Sequence, residues 1–253
     1  MAQKHKFSLD IVLPVLNEFE DLPKNIRILH KFLTDNMHDF NWRIVIADNG
    51  SSKEAETQSK ELSRKYSQVI AISVHPKGRG RALKYAWTHS RADILSYMDV
   101  DLSSQLEFFP QLIKSISTEG YDIAIGSRNS LGSKVIGRKL VREVSSKGYA
   151  LLIRLTFLHT HIPDAQCGFK AINREVADKV VPFIKDDAWF FDSELLICAE
   201  KRGYKIRALP IEWHDDPGST VKVFKTAWED IKGLLRIRFQ EPWNNFPSPS
   251  RKK

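Results

Sequence analysis

Ile94-Leu-Ser-Tyr-Met-Asp99-Val-Asp101 is the stretch on which the reading of this chain turns: an apolar run of strand length that ends in two carboxylates flanking one residue. Nearly continuous apolar runs of five or six residues suit strands buried on both faces. Upstream lie three similar runs. Leu9-Asp-Ile-Val-Leu13 breaks at Pro14 and Asn17, Trp42-Arg-Ile-Val-Ile-Ala47 ends at Asp48-Asn49-Gly50, and Val69-Ile-Ala-Ile-Ser-Val74 breaks at Pro76 and Gly78. Downstream, Tyr121-Asp-Ile-Ala-Ile125 leads into Gly126. The segments between carry helical spacing: Ile26, Leu29 and Leu33 share a face within residues 22–33, and 82–88 and 106–116 follow suit. Strand and helix in steady alternation predict an α/β fold with a mostly parallel, doubly wound sheet.

That topology gives the polar residues a common address, because ligands of open α/β sheets bind beyond the carboxyl ends of the strands. Asn17 and Glu18, Asp48, Arg79, Asp99 and Asp101, and Arg128 each follow an apolar run. Five segments thus deliver them to one sheet edge. Asp99 and Asp101 can offer hard oxygens to Mg²⁺ or Mn²⁺, which are typically held by one or two carboxylates plus substrate phosphates. Lys77-Gly78-Arg79-Gly80 lacks the spacing of a phosphate-binding P-loop, and no Gly-x-Gly-x-x-Gly follows the first strand, so a dinucleotide site is not expected. No nucleophile elbow is present, and His159 and His161 are too isolated for a zinc site.

The chain has 253 residues, enough for a full core, with 42% hydrophobic and 28% charged residues, which excludes collagen, coiled-coil and wholly disordered classes. No uncharged apolar run approaches the roughly 18 residues of a membrane span. Cys167 and Cys198 make no disulfide framework, which places the chain in a reducing, cytosolic compartment. The net charge is +8 and is unevenly spread. Arg128, Lys134, Arg138, Lys139, Arg142, Lys147 and Arg154 stand against Glu143 alone, and a second basic stretch runs from Lys222 to Lys253. Nucleic acid, a nucleotide phosphate or an anionic membrane surface can each match such patches. Nucleic acid is not expected, because the basic residues lack interleaved stacking aromatics. Arg138, Arg142 and Ser146 recur every four residues at the start of a helix over about 138–158, followed by an apolar stripe of Val144, Gly148, Leu151, Leu152, Leu155 and Leu158. That pattern reads as a phosphate clamp, as a core-packing helix with exposed arginines, or as an amphipathic helix in a membrane interface. Residues 1–239 are expected to form a single domain, and the proline-containing basic tail 240–253 to be disordered.

Taken in order, Ile11-Val-Leu-Pro-Val-Leu-Asn-Glu18, Asp48-Asn-Gly-Ser-Ser52, Gly78-Arg-Gly-Arg-Ala82, Asp99-Val-Asp101 and Ile125-Gly-Ser-Arg128 resemble the family 2 glycosyltransferases of the GT-A fold. Asp164-Ala-Gln-Cys-Gly-Phe-Lys170, Phe191-Asp-Ser-Glu-Leu-Leu196 and Trp213 followed by Gly218-Ser219 resemble the polyprenyl-phosphate sugar synthases, and the Gln-Cys-Gly-Phe-Lys form is closest to the dolichyl-phosphate glucosyltransferase branch. The resemblance covers about residues 8–239. It implies inverting transfer of a hexose from a nucleotide-sugar, UDP-glucose before GDP-mannose, to the phosphate of an isoprenoid lipid. A saccharide hydroxyl is the alternative acceptor.

Position by position, it implies that Pro14, Val15, Asn17, Glu18, Asp48, Arg79, Asp99 and Val100 hold the nucleotide-sugar, and that Asp99 and Asp101 bind Mg²⁺ or Mn²⁺. Arg128, Arg142 and Ser146 then grip the acceptor phosphate, and Asp101, Arg128, Arg142 and Asp164 form the catalytic set. Asn49, Arg79 and Ser103 depart from commoner family residues, the last of them away from the mannose branch. The transmembrane segments of many relatives are absent. The implied setting is peripheral, on the cytosolic membrane face, through residues 128–158 with Trp228, Ile231, Leu234 and Leu235, and with room for a separate anchoring subunit. Asp192 and Glu194 read as helix-capping and structural residues.

Overall fold

A computed structural model describes residues 6–137, 140–158, 160–215 and 223–250, the side chains of 223–225 excepted. Arg138, Lys139, His159, Gly218-Ser219, Lys222 and residues 251–253 lie outside the described residues. The first half alternates as its sequence predicts: β1 (Phe7–Val15), α1 (Asp21–Asn36), β2 (Phe40–Asp48), α2 (Lys53–Lys65), β3 (Val69–Ser73), α3 (Arg79–His89) and β4 (Ile94–Met98). After a short 3₁₀ turn come α4 (Phe109–Ser117), β5 (Ile123–Ser127), β6 (Lys134–Ile136) and α5 (Leu140–Thr156). The chain continues through β7 (Phe169–Asn173), α6 (Arg174–Lys179), α7 (Phe191–Arg202), β8 (Ile206–Pro210), β9 (Glu212–His214) and α8 (Val223–Gln240). The fifth strand begins two residues later than its apolar run, and the α5 helix ends two residues earlier than expected.

Seven strands form one sheet in the order β3-β2-β1-β4-β7-β5-β8, with β6 and β9 paired in parallel apart from it. All neighbours in the large sheet run parallel except β7, which is antiparallel to both β4 and β5. The strand order reverses beside β1, with β2 on one side and β4 on the other, so the crevice of an open α/β sheet falls at their carboxyl ends. Two apolar layers enclose the sheet. One gathers Leu9, Ile11 and Leu13 with Leu22, Ile26, Leu29 and Phe109, and the other gathers Val12, Leu95 and Tyr97 with Trp87, Phe191 and Leu195.

The expected disorder of the tail does not hold for its described part. Phe246 is 2% exposed, Trp243 meets Phe157 edge to face at 5.9 Å, and the Tyr204 hydroxyl donates to Pro247 O. The two aromatic residues give this proline-rich stretch enough apolar area to offset the entropy of ordering it.

Candidate active site at the carboxyl edge of the sheet

The loops that follow β1, β2 and β4 meet at the switch point and are fixed by backbone chemistry. Asn17 sits in the left-handed region at φ +57°, where its side-chain oxygen accepts from Ser52 N and its own N–H donates to Ser51 Oγ, both at 2.9 Å. Asn17 therefore pins two loops together. Asn49 N and Nδ2 both donate to Val15 O, which ties β2 to the end of β1. Asp48 Oδ1 accepts from Gly50 N and Ser51 N at 2.9 Å, while its Oδ2 is buried with no partner. An unpartnered buried carboxylate oxygen is costly unless a ligand supplies a donor. Pro14 pairs with Ala47 and Val15 closes the register of β1 beside Asp48, while Val100 O accepts from buried Asn25.

Asp99 and Asp101 stand on a tight turn after β4. Leu102 takes φ +53°, unusual for this residue type, and donates its N–H to Asp99 O, while Asp101 Oδ1 accepts from Ser103 N at 2.9 Å. Asp99 packs directly on the glycine before β7: a Cβ on Gly168 would lie 1.8 Å from Asp99 Oδ2. Glycine at this position is what allows the carboxylate to lie over the sheet edge. Among the described residues no three His, Cys, Asp or Glu side chains assemble into a complete metal cage. Two hard carboxylates on one turn nevertheless fit Mg²⁺ or Mn²⁺, which leave their remaining positions to phosphate oxygens and water.

Arg79, the first residue of α3, bridges Asp99 and Asp192, with 2.8 Å from Nη2 to Asp99 Oδ1 and 2.8 Å from Nη1 to Asp192 Oδ2. Its guanidinium lies between two aromatic rings, 5.0 Å from the Tyr97 centroid and 4.9 Å from that of Trp189. Beneath it runs a buried network that the sequence does not announce. Lys170, inside β7 and 0% exposed, is 3.1 Å from Asp192 Oδ1 and donates to Tyr97 OH at 3.1 Å, and Tyr97 donates to Asp192. Asp192 is therefore the counter-ion of this network and not a helix cap; the first N–H of α7, that of Phe191, donates to Asp186. Burial alone would raise its pKa, but Lys170 and Arg79 hold the carboxyl below the usual range. The signal available in the sequence was Lys170, a charge within an otherwise apolar strand that demands a buried acid. Glu194 is structural as expected, paired with Arg236 through two contacts of 3.0 and 2.8 Å.

Arg128 and Asp164 form a single unit. Arg128 Nε donates to Asp164 Oδ2 at 2.7 Å, Nη2 to Oδ1 at 2.9 Å, and the Arg128 backbone N–H to Oδ2 at 3.0 Å. Burial would raise the Asp164 carboxyl, yet the charge and hydrogen bonds of Arg128 bring it below its ordinary value. Asp164 is thus an ionised anchor for Arg128, whose guanidinium also lies 4.9 Å from the Trp213 ring. Arg142 on α5 pairs with Asp215 at 2.9 Å, and Ser146 Oγ accepts from Asn129 Nδ2 at 3.3 Å, which links α5 to the loop carrying Arg128. Gln166, in the same loop as Asp164, donates to Asp230 on α8.

Of the three readings of α5, the core-packing one holds for one side alone, where Ile153 joins the core and Tyr149 and Leu152 pack against it. Only Ile153 of this helix is buried, whereas Val144, Leu151 and Leu155 are 69%, 57% and 67% exposed, and Leu158 just beyond it is exposed too. On α8, Trp228, Leu235 and Phe239 are exposed as well, but Leu234, expected to join them, is buried. Among the described residues no helix is long and apolar enough to cross a membrane.

The model of the glycosyl transferase family 2 matches residues 10–181, which contain every carboxyl-edge loop just described. The chain belongs to that family. Among characterised family members, glycosyltransferase AglD of Haloferax volcanii is 30% identical over 227 residues, 89% of this chain but 35% of that protein. A dolichyl-phosphate beta-glucosyltransferase of Trichomonas vaginalis is 30% identical, covering 84% of this chain and 65% of its own length. The Saccharomyces cerevisiae dolichyl-phosphate beta-glucosyltransferase is 29% identical over 249 residues, 91% of this chain and 74% of that one. The chain thus spans from about a third to about three quarters of the length of these relatives. In fold it is similar to glucosyl-3-phosphoglycerate synthase of Mycobacterium tuberculosis, solved with Mn²⁺, UDP-glucose and phosphoglyceric acid. The TM-score is 0.68 at 16% identity, over 97% of this chain and 82% of that one. The GT-A fold expected from the motifs is therefore the fold observed.

Proposed function

We propose that this family 2 chain transfers glucose from UDP-glucose to the phosphate of a dolichyl or other polyprenyl lipid, with inversion, at the cytosolic surface of a membrane. The observation that carries this reading is a chain of contacts from the carboxylate edge to an exposed helix. Asp99 lies close enough to Arg128 to act on its charge, and the Asn129 beside Arg128 donates to Ser146 on α5, whose Val144, Leu151 and Leu155 are exposed.

Each residue has a stated part. Asp48 Oδ2, buried and unpartnered, accepts from an N–H of the nucleobase. Asp99 and Asp101 are the ligands that would hold Mg²⁺ or Mn²⁺, which when bound neutralises the diphosphate and stabilises it as a leaving group. Arg128 spends Nε and Nη2 on Asp164 and keeps the donors of Nη1, and Arg142 spends Nη1 on Asp215 and keeps the rest. These remaining forks, with Ser146, orient the acceptor phosphate.

A phosphate oxygen then attacks the anomeric carbon from the face opposite the diphosphate. The bond from that carbon to the diphosphate oxygen breaks, and UDP leaves with the electron pair. A phosphate monoester, with a second pKa of about 6, is already ionised at neutral pH, so the step needs alignment and no base. This favours the lipid phosphate over a sugar hydroxyl, which requires a free carboxylate base. Asp164 does not fit that role, since both its oxygens are engaged by Arg128.

The exposed side chains of α5, flanked by Lys147 and Arg154, supply the apolar and basic halves of an interfacial helix. An anchoring subunit would add to this contact. The test is transfer of radiolabelled glucose from UDP-glucose to a polyprenyl phosphate in detergent with Mg²⁺ or Mn²⁺, against GDP-mannose as competing donor. A lipid-linked glucose product that disappears with chelator is expected. Mannose transfer, or nucleotide binding with no lipid product, would overturn the reading.

A further inference from the structure

In the run Trp189-Phe190-Phe191 only the first ring is turned outward: Trp189 is 45% exposed, against 2% for Phe190 and 0% for Phe191. The loop that presents it is firmly held. Asp186 Oδ1 accepts from Ala188 N at 2.7 Å and from Phe191 N at 3.0 Å, and Asp186 N donates to Glu194 Oε2 at 2.9 Å. Asp187 pairs with Arg81 and Lys84, and its carbonyl accepts from Arg81 N at 3.0 Å. The loop presses on glycines that admit nothing larger, since a Cβ on Gly78 would lie 2.6 Å from Asp187 O, and one on Gly80 2.9 Å from Ala188 O. Trp189 is thus a large apolar ring held part-exposed by a rigid loop, one guanidinium away from Asp99 through Arg79. Core packing does not account for it: the neighbouring aromatics fill the core, whereas Trp189 rests on the Arg79 guanidinium.

We infer that Trp189 is a platform for the hexose of the donor and a determinant of which hexose is accepted. This rests on the reading of the carboxyl edge as a nucleotide-sugar site. With the diphosphate placed by the Asp99 and Asp101 turn, a hexose lies one bond further on, within reach of a ring beside Arg79. A pyranose with all its hydroxyls equatorial presents flat C–H faces, and an aromatic face binds such a surface by dispersion and by attraction of the C–H dipoles to the ring quadrupole. An axial hydroxyl breaks that flatness on one face only. Trp189 therefore selects glucose over its 4-epimer galactose, without forming a hydrogen bond, by meeting the face on which the 4-hydroxyl of galactose stands axial.

The experiment titrates the wild-type chain, Trp189→Ala and Trp189→Phe with UDP, UDP-glucose and UDP-galactose by calorimetry with Mg²⁺ present. In Trp189→Ala the affinity for UDP-glucose should fall about three- to tenfold, the range of a single aromatic contact, while the affinity for UDP stays unchanged. The preference for UDP-glucose over UDP-galactose should shrink in parallel, and Trp189→Phe should retain most of both. Equal weakening of UDP and UDP-glucose would overturn the inference, because Trp189 would then act only through Arg79. An unchanged UDP-glucose affinity would overturn it too, as would a rise in KM confined to the lipid acceptor, which would assign the ring to the isoprenoid. If the wild-type chain binds neither UDP nor UDP-glucose, the nucleotide-sugar reading itself fails.

Discussion

Replacing Asp230 with asparagine should make the protein more stable at alkaline pH and leave it unaltered in acid. Asp230 lies on the inner side of α8, 3% exposed, with Oδ2 accepting from Gln166 and Oδ1 buried without a partner. Burial pushes its carboxyl up to about 7, against the relief given by Gln166, and the nearby acids Asp186, Asp192 and Glu229 raise it further. Since the folded pKa lies above the unfolded one, the native state binds more protons than the unfolded state between about pH 4 and 7. Stability therefore falls as pH rises through that window, and the whole penalty is present above it. From an ordinary 3.8 to about 7 is roughly three units, and at 1.36 kcal/mol per unit the ceiling is about 4 kcal/mol. Asparagine keeps an acceptor for Gln166 and carries no charge. Urea unfolding followed by circular dichroism from pH 3.5 to 8.5 should show the gap between the Asp230→Asn and wild-type midpoints widening towards high pH and closing as pH falls below the ordinary carboxylate value of 3.8. Parallel curves, or a variant less stable at pH 8.5, would refute the reasoning.

Two further predictions test the site and its surroundings. Gly168→Ala places a methyl group where Asp99 Oδ2 now lies, so Mg²⁺-dependent binding of UDP-glucose should fall by about a hundredfold or more, as expected when a positioned ligand is displaced by an ångström, measured by calorimetry on a variant whose far-ultraviolet spectrum is unchanged. The double change Leu151→Asp, Leu155→Asp removes two exposed apolar side chains, so the unfolding midpoint should stay within about 0.5 kcal/mol of wild type while flotation with anionic vesicles at low salt is lost.

The legibility of the chain follows the range of the forces involved. Strands β1, β2 and β4 could be read because their central and carboxyl-terminal residues are buried on both faces, and the edge strand β3, where only Val69 is buried, because its run is apolar all the same. The loop residues after them could be read because topology sends every carboxyl end to one edge. What escaped depends on pairing across the sequence. Strand β7 carries Lys170 as its second residue, and Asp192 on α7 supplies the opposite charge that makes it tolerable inside a sheet. Arg128 and Asp164 were each visible as charged loop residues, but nothing local says that they neutralise one another over an interval of 36 residues. Asp192 presented itself as a helix-start acid, the same residue type in the same place as a cap, and only its contact with Arg79 connects it to the site. The stripe on α5 was legible as amphipathic but not as exposed, since a periodicity records that a helix has two faces and not which one meets protein. The same limit explains why Trp189 carries no motif: three consecutive aromatics look alike in sequence, and a rigid loop decides that one of them faces the site while the other two fill the core.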